Sequence, residues 1–200
     1  MSRSVLLGSA SPRRRILLEQ AGWGVEQISP GIDDGLIRLE TDSPPHIVES
    51  LAWFKAAQIG PPSHPHVASV AADTVCVVDG EVLGKPRDRE HAAQMITSMV
   101  RRRHQTITGV CVRDRAGGRL FFSDIASVEI GDLSADVLDR YLDSGDWTGK
   151  AGGYNLIDRV ADGWPLVCVD DPTTVMGLPI RRLIPILEQI ERRDRTEDRR

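Results

Sequence analysis

The chain has 200 residues, of which 40% are hydrophobic and 27% charged, and its formal net charge is −4. This length suits one domain, or two closely joined lobes, with a sizeable core. The net negative charge excludes an overall positive potential that would attract a nucleic-acid polymer. No apolar run is long enough for a membrane span or a signal peptide, so we expect a cytoplasmic protein without a membrane partner.

The three cysteines are scattered and lie in apolar, strand-like runs. Cys76, Cys111 and Cys168 form no CxxC pair and no metal-ligand spacing. We therefore expect small core residues in a reducing compartment.

The chain opens with a short apolar strand, SVLLGS at 4–9, followed by a helix over 12–21. Ser11 suits the N-cap of that helix and Pro12 its first position. A strand, a tight link and a helix are the opening of an α/β unit. The next helix is predicted over 42–58, where a stripe of apolar residues places Lys55 on or beside the buried face.

The middle of the chain alternates strand and helix signals. Two strands are predicted within 67–86 around the Asp79-Gly80 turn. Ser and Asp caps then predict further helices, and a turn at 114–118 joins two more strands. The predicted helices run from Asp88 to about Arg101 and from Ser134 to near Leu142.

The last quarter of the chain is less regular. Residues 144–160 are glycine-rich and poorly periodic, which indicates a functional loop or a bulged strand. A final helix is predicted over 177–190, with a kink at Pro185. Residues 191–200 are almost entirely polar and charged, so we expect a disordered tail after a single domain over 1–190.

Three consecutive arginines crowd the start of the first helix, where the helix dipole is already positive. They are either solvated surface charges, at a cost of a few tenths of a kcal/mol each, or an anion site. In the second interpretation the helix N-terminus and the guanidinium groups of Arg13 and Arg14 bind phosphate.

Asp73 lies inside an apolar run and must be paired, metal-bound or altered in pKa. It is either a satisfied strand residue or a general base or metal ligand. Lys55, Lys85 and Lys150 could each reach a phosphate, although each alone is a weak signal. The sequence has no P-loop, no GxSxG and no HExxH.

Seven stretches, in order over nearly the whole chain, resemble the Maf family of nucleoside triphosphate pyrophosphatases. They are SASPRR (9–14), GIDD (31–34), Lys55 in LAWFKA, AADTV (71–75), DGEVLGKP (79–86), KAGGY (150–154) and VMGLPI (175–180). The resemblance implies an α/β fold of the Maf and ITPase-like type, with a long mixed β-sheet flanked by helices and two lobes with a cleft. It also implies a cytoplasmic hydrolase that converts (d)NTP to (d)NMP and pyrophosphate.

The resemblance also assigns roles to residues. Asp73 would be the catalytic base and, with Asp33 of the Asp33-Asp34 pair, would bind a divalent cation, Mg²⁺ or Mn²⁺. The remaining site residues would bind the nucleotide: Ser9, Ser11, Arg13, Arg14, Lys55, Thr74, Lys85, Lys150 and Ile157.

One departure from the family leaves the preferred base open. The family commonly has AYGIQ after lysine-alanine-glycine, here 150–152. In pyrimidine-specific members that Gln sets base choice together with the first Arg of SPRR, here Arg13, and the Thr after the catalytic Asp, here Thr74. This chain has GYNLI, so Ile157 stands in the place of the Gln, and it offers no amide hydrogen bonds. Canonical, non-canonical and pyrimidine nucleotides all remain candidates.

Two other functions remain as alternatives. One is a nucleotide-binding regulator of cell division or septum formation without significant turnover. The other is a transferase acting on a phosphate or sugar nucleotide, for which no motif is present. A homodimer is plausible for the family, although no stretch of this sequence specifies one.

Overall fold

The structure is a computed structural model that describes residues 3–31 and 39–197. These residues form a mixed β-sheet flanked by α-helices, which confirms the predicted α/β class. In the described part of the chain, no helix has the length and apolar character that crossing a membrane requires. The strands are β1 (Ser4–Gly8), β2 (Gly24–Ile28), β3 (His66–Val78), β4 (Glu81–Leu83), β5 (Arg102–Asp114), β6 (Arg119–Ile130) and β7 (Leu166–Cys168). The helices are α1 (Pro12–Gln20), α2 (Pro44–Ile59), α3 (Arg89–Met99), α4 (Ala135–Ser144), α5 (Leu156–Ala161), α6 (Pro172–Val175) and α7 (Ile180–Glu197).

The strands of the sheet follow the order β2-β1-β3-β5-β6-β7, and β4 pairs with β3 beside this path. Strand β1 is parallel to both of its neighbours, β2 and β3. The pairs β3–β4 and β6–β7 are antiparallel. Strands that are joined through a helix can pair in parallel, whereas strands joined by a tight turn pair antiparallel. The start of the chain has the first kind of connection and its middle has the second.

The chain divides into two compact units. Unit 1 comprises residues 1–73, 108–124 and 177–200, and unit 2 comprises 74–107 and 125–176. A small-residue cluster in unit 1 packs helix α2 against the sheet through Ala52, Ala56, Ala71 and Cys111. Unit 2 has its own core, which includes Ile96, Met99, Ile130, Tyr141 and Trp164.

The hairpin between β3 and β4 forms at the predicted turn. Asp79 and Gly80 have φ angles of 50° and 84°, and a two-residue turn of type I′ needs a positive φ at both central positions. Val78 pairs with Glu81 directly across this turn. Local turn chemistry therefore fixes the register of this hairpin.

The predicted caps of two helices are also confirmed. The Asp88 side chain accepts a hydrogen bond from the backbone N–H of His91 at the start of α3. The Ser134 hydroxyl accepts one from Val137 at the start of α4. These bonds satisfy N–H groups that have no partner within the helix.

The glycine-rich segment is only in part the loop that its composition indicates, since 145–150 form turns and irregular structure. A 3₁₀ turn over Ala151–Gly153 leads into helix α5. Asn155 caps this helix, because its Oδ1 accepts the N–H of Ile157. Six residues are too few for an apolar period to show in the sequence, so the helix escaped prediction.

Residues 191–197, for which the charged composition predicts a disordered tail, continue the last helix in the structure. Helix α7 runs to Glu197 and includes Pro185. Arg193 donates to Asp114, and Arg115 donates to Asp194, whose side chain is 8% exposed. Ion pairs with the β5–β6 turn thus stabilise a helical end that has little apolar surface to bury.

Two of the cysteines are core residues, as predicted. Cys76 and Cys111 are buried, and burial raises the pKa of the Cys76 thiol to about 12 and that of Cys111 to about 11. Both are therefore protonated at neutral pH and unsuited to nucleophilic attack. Cys168 is half-buried, and its pKa is also raised by burial.

Candidate active site

The start of α1 follows strand β1 after a three-residue link, Ser9 to Ser11. Ser11 occupies the N-cap position, but its side chain makes no capping hydrogen bond. Its backbone N–H instead donates to the Ser9 hydroxyl. The first turn of α1 contains no acidic residue, so the positive end of the helix dipole is not neutralised locally.

The three arginines of this turn have different environments. Arg15 is exposed and pairs with Glu19 at 2.7 Å, one turn along the helix. Arg14 points into unit 1 and donates to three protein oxygens. Arg13 is half-buried and, among the described residues, makes no hydrogen bond or ion pair. Of the three, Arg13 is the one whose charge the described protein leaves uncompensated.

Lys55 and Asp73 form an ion pair in unit 1. The Lys55 ammonium lies 2.5 Å from Asp73 Oδ1, and the two side chains are 12% and 14% exposed. Helix α2 buries Val48, Ala52 and Ala56 against the sheet, and the helical period places Lys55 beside this stripe. An acid and a base with so little exposure to water stabilise one another as a hydrogen-bonded ion pair.

Gln27 also belongs to this part of unit 1, and the sequence did not indicate it. Its side-chain amide donates to the backbone oxygens of Ser9 and Ser11, at 2.5 and 3.3 Å. Gln27 lies in strand β2, which is paired with β1, so the amide holds the link that follows β1. The only sequence signal was a polar residue in a short strand, which is too common to be specific.

The structure therefore connects several of the predicted site residues within unit 1. Hydrogen bonds and one ion pair link Ser9, Ser11, Arg14, Asp73 and Lys55, with Arg14 bonded to the backbone oxygen of Ala72, the residue before Asp73. Asp33 and Asp34 lie outside the described residues.

Four other predicted residues belong to unit 2. Lys85 is exposed, Lys150 is half-buried and Thr74 is half-buried at the start of this unit. A backbone hydrogen bond from Gly152 to the oxygen of Gly84 joins the segments that carry the two lysines. Ile157 lies in the first turn of α5 and is 48% exposed.

Of the two metal ligands that the resemblance predicts, only Asp73 lies within the described residues. In the parts of the chain that the structure describes, no group of three or more His, Cys, Asp or Glu side chains could hold a metal ion. Mg²⁺ commonly binds one or two carboxylates together with substrate phosphates and water. The oxygen donors of Asp73 fit such a substrate-dependent site and do not fit an all-protein one.

Comparisons with known proteins agree with the resemblance in the sequence. The family model described as Maf-like protein matches residues 4–190. A dTTP/UTP pyrophosphatase of Rhodopirellula baltica is 35% identical over 191 residues, which are 94% of this chain and 82% of the relative. That of Symbiobacterium thermophilum is 35% identical over 187 residues, 94% of each chain. A solved structure, a nucleoside-triphosphatase / dITP/XTP pyrophosphatase from Mycobacterium abscessus, aligns over 66% of this chain and 75% of that chain, with 18% identity and a TM-score of 0.40.

Proposed function

The chain belongs to the Maf-like protein family, and from this premise we propose that it is a nucleoside triphosphate pyrophosphatase. It hydrolyses a nucleoside triphosphate to the monophosphate and pyrophosphate, with pyrimidine nucleotides such as dTTP and UTP among its substrates. The relatives at about 35% identity, which carry that name, support the reaction. The observation that carries the proposal is the sparsely exposed Lys55–Asp73 pair in unit 1.

The chemistry requires a base for water, and Asp73 is suited to it. A water oxygen attacks the α-phosphorus, the bond from that phosphorus to the bridging oxygen breaks, and pyrophosphate leaves. The water proton passes to Asp73. General-base assistance of this kind is worth about 10²–10⁴-fold in rate.

Lys55 has a double role in this proposal. Its ammonium has three N–H donors, so one can remain on Asp73 Oδ1 while another binds a phosphate oxygen. The cation lies directly beside the carboxylate that accepts the water proton. It also attracts the charge that develops on the phosphate.

The start of α1 is suited to bind the triphosphate tail. Free N–H groups of a first helical turn and the positive dipole end favour anions, and the adjacent Arg13 adds a guanidinium. A bound polyphosphate would compensate a charge that the described protein leaves unpaired. Thr74, Lys85, Lys150 and Ile157 remain predicted substrate-binding residues on the basis of the resemblance.

We also propose a divalent cation, Mg²⁺ or Mn²⁺, as the cofactor. Asp73 would hold it together with phosphate oxygens, and Asp33 is the second predicted ligand. When bound, the ion neutralises phosphate charge and polarises the phosphorus.

A cytoplasmic location and a homodimer complete the proposal. Nucleoside triphosphates are the substrate, and neither a nucleic-acid polymer nor a membrane is an expected partner. Light scattering on a sizing column would determine the oligomeric state, and a doubled mass is the expected result.

The proposal is tested with a panel of canonical and modified triphosphates in the presence and absence of Mg²⁺. Pyrophosphate and orthophosphate are assayed separately on the wild type, on Asp73→Asn and on Asp136→Asn, an exposed aspartate of α4. We expect metal-dependent release of pyrophosphate, a loss of about 10²-fold or more in Asp73→Asn, and normal turnover in Asp136→Asn.

Two outcomes would contradict the proposed function. An Asp73→Asn variant that keeps more than about a tenth of the wild-type rate would remove Asp73 as the base. Tight nucleotide binding by the wild type without any release of pyrophosphate would instead favour the regulatory alternative.

A further inference from the structure

The side chain of Arg14 connects three separate segments of unit 1. Its Nε donates to the backbone oxygen of Gly177 at 2.7 Å. Its Nη1 donates to the backbone oxygen of Ala72 at 2.8 Å and to the hydroxyl of Ser9 at 3.1 Å. One guanidinium thus joins the link before α1, strand β3 and the segment before α7.

These bonds use the donors that a phosphate would need. An arginine grips a phosphate best with two parallel N–H groups on different nitrogens. In Arg14 the Nε–H and both N–H groups of Nη1 already have protein acceptors. A bidentate contact with phosphate needs two adjacent N–H groups, and every such pair on this guanidinium includes at least one of these three. Bidentate binding would therefore break a hydrogen bond to the protein.

Breaking the hydrogen bonds to these acceptors would also be costly, because the acceptors are buried. Ser9, Ala72 and Gly177 are all buried, and a buried carbonyl that loses its donor costs about 1–3 kcal/mol. Moving Arg14 to a phosphate would leave two such carbonyls, those of Ala72 and Gly177, without this donor. The cost favours a guanidinium that stays in place when the substrate arrives.

We infer that Arg14 is a positioning residue, which holds the backbone before Asp73 and the hydroxyl of Ser9 in register, and that the neighbouring Arg13 alone of the two binds phosphate. The inference rests on the proposed function, because it gives Arg14 a place beside the proposed base. The residue before that base, Ala72, is 0% exposed. A shift of its backbone oxygen therefore moves the Asp73 carboxylate directly.

The first test separates binding from turnover. Arg14→Lys keeps the charge but loses the fork of donors, and Arg13→Ala is the matched variant one residue away. The dissociation constant of a non-hydrolysable α,β-methylene triphosphate is measured by calorimetry, alongside kcat and KM.

For Arg14→Lys we expect kcat to fall by about 10²-fold, the usual effect of a misplacement near 1 Å, while affinity for the analogue stays within about threefold. For Arg13→Ala we expect affinity and KM to weaken by about tenfold or more with a smaller change in kcat. Equal losses of affinity in both variants, with kcat retained, would overturn the inference. So would a normal kcat and KM in Arg14→Lys.

The second test uses the wild-type protein and does not depend on whether a variant folds. The arginine Nε–H signals are assigned by ¹⁵N NMR through their backbone correlations, and inorganic pyrophosphate is added. We expect the Arg14 signal to remain unshifted and slow to exchange, and the Arg13 signal to move. A shift of the Arg14 signal equal to that of Arg13 would show phosphate contact and refute the positioning role. Failure of the wild type to release pyrophosphate would contradict the proposed function, whereas this titration would still decide the role of Arg14.

Discussion

In the first turn of α1, neighbouring arginines have different partners because they point in different directions. Successive helical residues are rotated by about 100°, so Arg13 and Arg14 point in clearly different directions although they are chemically identical. Arg14 finds three buried acceptors, and Arg15 finds Glu19. An exposed pair such as Arg15–Glu19 is worth only about 0.2–1 kcal/mol, so it adds little to the fold.

Ile157 is the residue through which base preference can be tested. Ile157→Gln introduces the amide that the resemblance to the family predicts for pyrimidine-specific members at this position. Because Ile157 is 48% exposed, the change should leave the fold intact. We expect the ratio of kcat/KM for dTTP and UTP over purine triphosphates to rise by about tenfold, which corresponds to about 1.4 kcal/mol.

Val160 provides the matched control for that change. It lies one turn further along α5 and is 49% exposed. Val160→Gln should leave the nucleotide ratios at their wild-type values. Identical ratios for Ile157→Gln and the wild type over the whole panel would remove position 157 from the determinants of base choice.

At the scale of elements, unit 1 depends on a close approach between α2 and β5. A Cβ added at Gly109 would lie 2.4 Å from the carbonyl carbon and 2.5 Å from the oxygen of Val48. Both are backbone atoms, so a side-chain rotation cannot relieve the overlap. Any residue larger than glycine must push α2, which carries Lys55, away from the strand.

Gly109→Ala is therefore expected to lower the free energy of unfolding by about 1–3 kcal/mol, the usual cost of overpacking. Urea denaturation measures the change. Gly31→Ala is the control, because a Cβ there would meet no atom of the described residues within 4 Å, and its effect should stay within about 0.5 kcal/mol. Equal stability of the two variants would contradict the tight α2–β5 contact.

The same elements show what a sequence can predict and what it cannot. The Asp79-Gly80 hairpin and the Asp88 and Ser134 caps depend on neighbours within a few residues, and all three were predicted. The bonds of Arg14 to Ala72 and Gly177 join residues 58 and 163 positions apart. Residue types alone left Arg14 either a surface charge or part of an anion site, and only the fold could reveal which acceptors its guanidinium meets.

At the scale of the whole molecule, the charged end of the chain belongs to unit 1. Arg193 pairs with Asp114 at 2.7 Å and Arg115 with Asp194 at 2.8 Å, and each aspartate side chain is 8% exposed. Burial alone would raise the pKa of Asp114, but hydrogen bonds from Arg193 and from the N–H of Gly118 outweigh it and lower the pKa. The ionised form is thus the one that the fold stabilises.

A chain that ends at Ile190 should be less stable than the full chain. It lacks Arg193 and Asp194 and leaves Asp114 and Arg115 without these partners, at a cost of about 2 kcal/mol. For a protein of this size that cost lowers Tm by about 4–8 °C, which a thermal scan would measure.

Arg195→Ala serves as the control for the truncation. Arg195 is exposed and pairs with Glu191 one turn earlier in the same helix, so its loss should leave Tm nearly unchanged. An unaltered Tm in the truncated chain would mean that residues 191–197 contribute nothing to stability and would restore the expectation of a disordered tail.

The division of the chain into segments also has a consequence for biosynthesis. All of unit 2 has been translated once residue 176 is added, whereas unit 1 still lacks residues 177–200 at that moment. Domains generally fold as units during translation. Unit 2 therefore has its complete sequence before unit 1 does, although unit 1 begins earlier in the chain. The Gly177 oxygen that Arg14 requires is therefore synthesised only after all of unit 2, and a chain cut short before residue 177 would lack this acceptor of the Arg14 guanidinium.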